Sequence, residues 1–397
     1  MSVSLNSVDR QGFHPGIVHF ALAVGGFAIG TTEFATMSLL PYFARDLHVD
    51  APTAGRVISA YALGVVVGAP LITVLAAKVA RRSMLIGLMT VFALANGLSA
   101  LAPSYHWMLL FRFLSGLPHG AYFGLASLVA ASLVPTAKRA AAVGRVMLGL
   151  TVATIIGVPL ANELGQVVGW RWGFGVVAVL ALLTAVLVTL YAPRDKPSGE
   201  ASALRELGAL GRAQVWLTLA IGAIGFGGMF CVYTYLTSTL MHVTGAGPAA
   251  TPIVLMIFGV GMTAGNLLVP RFADRALMPS AGLLLLWSAA MLALYPLAAH
   301  SVVTLALDML AIGFGVALGT VLQTRLMDVA GDAQGLAAAL NHSAFNVANA
   351  LGPLLGGMAI AAGYGWTSTG WVGSGLALAG LAVWALAWRM AKDRRRA

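Results

Sequence analysis

The sequence predicts an all-α membrane protein of twelve transmembrane helices, arranged as two pseudo-symmetric six-helix bundles. Three observations lead there. Of 397 residues, 59% are hydrophobic and only 9% charged, against roughly 25% charged in soluble domains. The apolar residues fall in runs of about 20, the length that crosses a bilayer core. Small-residue patterns of the first half recur in the second at an offset of about half the chain, the mark of an internal duplication.

So few charges cannot cover a water-facing surface, and a mean hydropathy of +0.88 makes lipid the solvent for most of it. The net charge of +10 raises nucleic-acid binding as a possibility. Its distribution argues otherwise, because Lys and Arg cluster between apolar runs and so set membrane orientation; no nucleic-acid partner is expected. The single cysteine, Cys231, can form no internal disulfide and no cysteine metal site. No HExxH, no GxxxxGK[ST] and too few His and acids are present for a metal or phosphate site. No metal and no cofactor are expected, and a membrane enzyme or primary pump is disfavoured.

Breaks at charges, Pro and Gly delimit spans 17–41, 54–77, 83–103, 107–133, 140–164 and 170–191, then 214–241, 249–273, 280–299, 302–325, 335–363 and 367–390. The first is too long for a signal-peptide core and is read as retained. The expected organisation is an N-terminal bundle over 1–193, a cytoplasmic linker over 194–213 and a C-terminal bundle over 214–397. The linker is expected to be partly helical around Ala203–Leu210.

Orientation follows from Lys and Arg. With the N-terminus inside, nineteen of them fall in inner segments, and only Arg45, Arg56 and Arg171 in outer ones. This asymmetry predicts both termini in the cytoplasm, and a missed helix would scramble it. The repeats are Gly64 and Gly68 in span 2 against Gly261 and Gly265 in span 8, and Gly149, Ala153, Gly157 and Ala161 in span 5 against Ala344, Ala348, Gly352 and Gly356 in span 11. Pro159 and Pro353 sit beside the latter set. Duplicated six-helix halves around a central site are a transporter plan.

Glu33 is the only charge between Ile17 and Arg45. A carboxylate there costs about 2.5–3.5 kcal/mol on insertion scales, and intramembrane acids are functional by default. Its chemistry suits a group that loads and releases a proton; the alternative is a structural polar contact. Arg112 lies near the outer end of span 4. Glu33 is about 16 residues into span 1, roughly 24 Å along it, so the two share a depth at which they can pair. The alternative for Arg112 is snorkelling to the outer interface. His119 follows Pro118 and either relays protons or donates one structural hydrogen bond. Gly116, Gly120 and Gly124 recur on the same helix and point to close packing. His342, Asn346 and Asn349 form one polar stripe on span 11, facing a cavity or holding helices together. Phe226, Phe230 and Tyr233 form an aromatic stripe on span 7, read as packing or lipid contact, or as a lining for substrate if the fold places span 7 at the cavity.

Four stretches carry a resemblance: Thr31–Phe34, Tyr61–Pro70, Arg112–Ala121, and Gly157–Leu160 followed by Gly169–Trp172. With them the chain resembles the major facilitator superfamily, within it the twelve-span drug:proton antiporters, and most closely the arabinose/sugar efflux and chloramphenicol-resistance branch. The resemblance implies the major facilitator fold and a role for Arg112 in proton coupling. It also implies that spans 1, 4, 7 and 10 line the cavity. Asp308 in span 10 occupies the position of Arg112 by the repeat offset, as a second ionisable site or a residue near the outer interface. The stretch from Gly149 to Pro159 resembles the antiporter motif, where Pro159 removes a backbone hydrogen bond and a bend suits opening and sealing. In the loop between spans 2 and 3 the superfamily pattern departs, with Ala77 in place of Asp and Ala80 in place of Gly. Lys78, Arg81 and Arg82 remain, and the second-half copy keeps Asp274 and Arg275. The resemblance implies that the Asp of this loop pattern helps latch the two bundles on the cytoplasmic side, and the first half lacks it.

The expected function is a proton-coupled secondary transporter: a substrate:proton antiporter exporting small molecules such as sugars or drugs, with Glu33, Arg112, Asp308 and His119 in the coupling. The alternatives are a proton-coupled importer and an uncoupled facilitator. The expected partners are a small-molecule substrate, protons and the lipid bilayer. The chain is expected to be a monomer in a bacterial inner membrane.

Overall fold

Backbone polar groups in hydrocarbon have no water to bond, so each spanning segment must satisfy its own N–H and C=O groups. The computed structural model, which describes residues 14–75, 79–135, 139–194, 208–247, 249–273, 276–330 and 334–396, meets that constraint with helices, and no strand occurs among these residues. In chain order the helices are α1 (Pro15–Ser38, continued by Leu40–Asp46), α2 (Ala51–Leu75), α3 (Arg81–Ala100) and α4 (Tyr105–Ser132). Next come α5 (Arg139–Val152 and Val158–Leu164) and α6 (Trp170–Tyr191). The second half follows with α7 (Ala213–Gly225 and Gly227–His242), α8 (Ala250–Leu268), α9 (Leu277–Ala298), α10 (Val302–Phe314 and Leu318–Ala330), α11 (Gln334–Ala359) and α12 (Ser368–Arg396).

Ten helical stretches among the described residues are long and apolar enough to cross a membrane. One, Gly144–Tyr191, has 48 residues, about twice what a bilayer needs. It turns back at Gly169, whose φ of 121° is open to glycine and strained for other residues, and so supplies two spans, α5 and α6. The ten do not include α4, whose His106, Arg112, Pro118 and His119 dilute its apolar content. At 28 residues it is nonetheless long enough to cross. The count is therefore twelve. Most of the linker helix expected around Ala203–Leu210 lies outside the described residues; Gly208–Gly211 form a 3₁₀ turn.

The two halves repeat one packing device. A side chain at Gly64 or Gly68 of α2 would strike the carbonyls of Phe113 and Leu117 in α4. At Gly261 and Gly265 of α8 it would strike those of Leu310 and Phe314 in α10. Both members of each contact are thus displaced by the same 197 residues. In membranes, where apolar burial drives little, such close approach supplies the dispersion that holds helices together. Of the three glycines on α4, Gly116 and Gly120 pack tightly against α2, whereas Gly124 faces open space.

Helices α1 and α7 are enclosed over much of their length: every residue of Ala28–Ser38 and of Gly227–Leu240 is buried. Helices α3, α6, α9 and α12 instead turn Leu94, Leu183, Leu297 and Leu378 outward, part of a lipid-facing surface that no water-soluble fold would tolerate at this extent. Between the halves, α2 packs along α11 and α5 along α8.

Helix breaks shape these contacts. In α1, Pro41 follows the irregular Leu39, and the Tyr42 N–H turns to the Leu39 carbonyl. The Ser38 carbonyl is thereby released, and it accepts from Asn162 Nδ2 of α5 and Thr237 Oγ1 of α7, each at 3.1 Å. In α5 a π-turn over Ala153–Gly157 immediately precedes Pro159; the expected disruption is an inserted residue, a form frequent at functional helix sites. A second π-turn over Gly165–Gly169 is matched by one over Ile360–Tyr364 after α11. Outside the membrane, Arg171 pairs with Asp46, and this hydrogen bond holds the Asp46 carboxyl below its usual range.

Substituting Gly64→Val or Gly261→Val should therefore destabilise the purified protein by about 1–3 kcal/mol, the cost of overpacking. Gly124→Ala should leave it unchanged. Thermal unfolding in one detergent compares all three.

Candidate functional site

An arginine in hydrocarbon must find acceptors or leave. Arg112 of α4 is 0% exposed, so it does not snorkel. Its Nη1 donates to Thr32 Oγ1 at 3.0 Å and lies 3.5 Å from Asn96 Oδ1. Thr32 Oγ1 donates onward to Asn96 Oδ1 at 2.8 Å, and Asn96 Nδ2 to the Phe92 carbonyl at 2.8 Å. The guanidinium sits over the Tyr61 ring at 4.3 Å and 5.3 Å from that of Phe174, the geometry of cation–π attraction. Neutral dipoles and ring faces from α1, α2, α3 and α6 thus hold the charge.

The expected pairing of Arg112 with Glu33 is corrected: the two form no ion pair, and the one ion pair among the described residues joins Arg171 to Asp46. The reason is helical geometry. Successive residues on a helix differ by about 100°, so Thr32 faces Arg112 while Glu33 is turned toward the other half. There Glu33, 7% exposed, accepts a hydrogen bond from Asn349 Nδ2 of α11 at 3.2 Å. The polar stripe on α11 is accordingly split. Asn349 crosses between halves, whereas Asn346 Nδ2 donates to the His342 carbonyl of its own helix at 3.0 Å. The Oδ1 atoms of both are buried without a partner among the described residues.

Phe34, next to Glu33, meets the aromatic stripe of α7, with centroids 6.2 Å from Phe230 and 5.3 Å from Tyr233. Tyr233 leans on Phe258 at 4.7 Å, and its hydroxyl has no partner among the described residues. Phe226 packs on Phe345 at 4.7 Å and borders a cleft between α7, α9 and α10 with Met229, Ser288 and Ile312. Phe230 and Tyr233 therefore belong to the contact between halves, Phe226 packs within the second half, and none of the three is exposed to lipid. His119 bonds the Tyr61 hydroxyl at 2.8 Å and lies 6.0 Å from the ring of His342, which stacks on Phe123 at 5.3 Å. Asp308 of α10 is largely buried, with Oδ2 unpartnered among the described residues.

Among the conformational residues, Gly157 abuts Thr31 and Phe27 of α1, and Pro159 is buried at the start of the second piece of α5. Arg82 donates to the Thr189 carbonyl of α6, and Arg81 opens α3. Lys78, Asp274 and Arg275 lie outside the described residues. Sequence reasoning missed Thr32, Asn96 and Tyr61 as partners of Arg112. Asn96, an amide inside the apolar run of α3, was the available signal.

Because Thr32 is the link between Arg112 and Asn96, Thr32→Val should cost about 2 kcal/mol, the worth of a hydrogen bond to a charged group. Thr32→Ser should restore most of it. Denaturation in detergent checks both.

Comparison with known proteins agrees with this architecture. Residues 22–332 match the family model described as Major Facilitator Superfamily. The chain is 45% identical over 349 residues to the inner membrane transport protein YdhP of Escherichia coli K12, covering 87% of this chain and 90% of that protein. It is 36% identical over 346 residues to the chloramphenicol resistance protein of Streptomyces lividans, covering 85% and 87%. Among solved structures, a bacterial homolog of the human lysosomal transporter Spinster superposes with a TM-score of 0.71 at 17% identity, covering 94% of this chain and 97% of that one. The last likeness is one of fold alone. With a family model spanning most of its length and relatives of this identity, the chain is a multi-pass membrane transporter, not an enzyme, and belongs to the major facilitator superfamily.

Proposed function

We propose that this transporter is a proton-coupled exporter, exchanging a small molecule such as a drug or sugar for protons. The observation that carries the reading is Glu33. It is the one acid of Pro15–Ser38, it is buried where the two halves meet, and its hydrogen-bond partner Asn349 comes from the opposite half. A group in that place senses both its own proton and the position of the other half. Arg112 donates its hydrogen bonds to neutral groups and makes no ion pair with Glu33, so a change of charge on Glu33 breaks no direct contact of the arginine.

In this reading the halves over 1–193 and 214–397 rock about the contact, with the linker 194–213 and both termini in the cytoplasm of a bacterial inner membrane, as the Lys and Arg distribution predicts. Substrate enters from the cytoplasm against the α7 aromatic residues Phe226, Phe230 and Tyr233. Protonation of Glu33 from outside accompanies release, and return of the proton resets the carrier. Asp308 and His119 are further proton-coupling candidates, and Gly157 and Pro159 belong to the segment that bends. The membrane potential supplies about 2.3 kcal/mol per charge per 100 mV, enough for roughly a 50-fold gradient of a neutral substrate. The kinship with a protein named for chloramphenicol resistance supports amphenicol-like drugs as the first class to try.

The test is proton movement in inverted membrane vesicles. Adding a transported drug to energised vesicles should release protons from the lumen, and Glu33→Gln should abolish the release while drug binding persists. Wild-type proton release by the Glu33→Gln protein would remove Glu33 from the coupling. Drug transport with no proton movement would make the protein an uncoupled facilitator.

A further inference from the structure

Asn349 is one hydrogen bond short. Its Nδ2 donates to Glu33, but its Oδ1 has no donor among the described residues, although the residue is 0% exposed. A buried acceptor left unpaired costs free energy, so the question is which neighbour supplies the missing proton. An ionised Glu33 has only acceptors to offer. A protonated Glu33 has an O–H. Carboxylic acid and primary amide then close a ring of two hydrogen bonds: Asn349 Nδ2–H to one carboxyl oxygen, and Glu33 O–H to Asn349 Oδ1.

None of the other titratable and charged groups around this pair bonds Asn349 Oδ1. From α4, Arg112 is bonded to Thr32 through Nη1, and its Nε, without a partner among the described residues, does not bond Asn349. From α2, the Tyr61 hydroxyl is bonded to His119. From α7, Tyr233 packs edge-on against Phe34, and its hydroxyl, without a partner among the described residues, does not bond Asn349. On α11, His342 lies about two helical turns away and stacks on Phe123. The α5 cation nearest α1, Arg145, bonds His19 near the linker end, and α6 turns Phe174 toward Thr32.

We infer that Asn349 is a second proton-coupling residue, because the Glu33–Asn349 pair is complete only when Glu33 carries a proton, so that proton loading draws the two halves together. The inference deepens the role proposed for Glu33 and rests on that reading. It assigns the conformation described here to the proton-loaded carrier: α1 meets α7 at Ser38–Thr237, and α2 meets α11 at Ser59–Ala350, each through a 3.1 Å hydrogen bond. Ionisation of Glu33 leaves the Asn349 carbonyl orphaned and favours separation at this contact.

The experiment measures separation of the halves against pH. Spin labels are placed at Arg45→Cys and His242→Cys, both exposed at the end opposite the linker, in a Cys231→Ser background. Distances are read by double electron–electron resonance on the full chain in nanodiscs. The wild-type background should show a short distance at low pH and a longer one at high pH. Glu33→Gln, whose amide reproduces both hydrogen bonds of the protonated acid, should stay short at every pH. Asn349→Leu should lose the pH response and lower the closed-to-open ratio at low pH roughly tenfold, the weight of one buried hydrogen bond; Asn349→Ala serves where the larger side chain prevents recovery of folded protein. If Asn349→Leu or Asn349→Ala keeps the wild-type pH response while Glu33→Gln loses it, the role of Asn349 is overturned and that of Glu33 stands. If Glu33→Gln keeps the wild-type response, the reading of Glu33 itself fails. Distances in the wild-type background that do not move with pH overturn the inference.

Discussion

The structure depends on how a permanent positive charge is kept inside a membrane bundle. Arg112 is fully enclosed, and a guanidinium in a protein holds its proton. A carboxylate partner would neutralise it, but would then be bound to one charge state. Instead Thr32, Asn96 and the rings of Tyr61 and Phe174 share the guanidinium. Because those groups come from α1, α3, α2 and α6, satisfying one charge also fixes five helices of the first half around it. Hydrogen bonds to charged groups are among the stronger ones available, and here they serve positioning as well as desolvation.

The same arrangement separates two tasks that neighbouring residues perform on α1. Thr32 belongs to the cradle, and Glu33, one residue and about 100° further on, belongs to the contact with the second half. Helix periodicity alone divides a static charge from one that can change. Phe34 then extends the contact into the aromatic face of α7. Three consecutive residues thus address three different environments.

Symmetry supplies the scaffold, and departures from symmetry supply the chemistry. The glycine-to-carbonyl contacts of α2 on α4 recur in α8 on α10, and π-turns recur in the α5–α6 and α11–α12 connections. Yet the buried charge near the matching place is Arg112 in one half and Asp308 in the other, one residue short of the 197-residue repeat. Helix irregularities add directional contacts that a regular helix cannot make, since a carbonyl in an unbroken helix is already occupied. The Ser38 carbonyl, freed at the break before Pro41, accepts from both halves.

Much of this was legible in the sequence for physical reasons. Hydrophobic length and charge spacing are properties of a single segment in lipid, so they marked out twelve spans whose limits the helices follow closely. The glycine pairs were visible because close packing needs a missing side chain wherever it occurs. Glu33 and Arg112 stood out because a charge in an apolar run is costly enough to demand an explanation. Their partners did not stand out. Whether Arg112 meets Glu33 or Thr32 depends on which face of α1 turns toward α4, and that is decided by the packing of all the neighbouring helices at once. Asn349 lies 316 residues from Glu33, and only the meeting of the two halves brings them into contact. Local pattern was enough for the spans, the repeat and the residues that could not be idle. What each of them touches emerged only on assembly of the bundle, because side-chain pairing across helices is set by rotation and register, which no local pattern encodes.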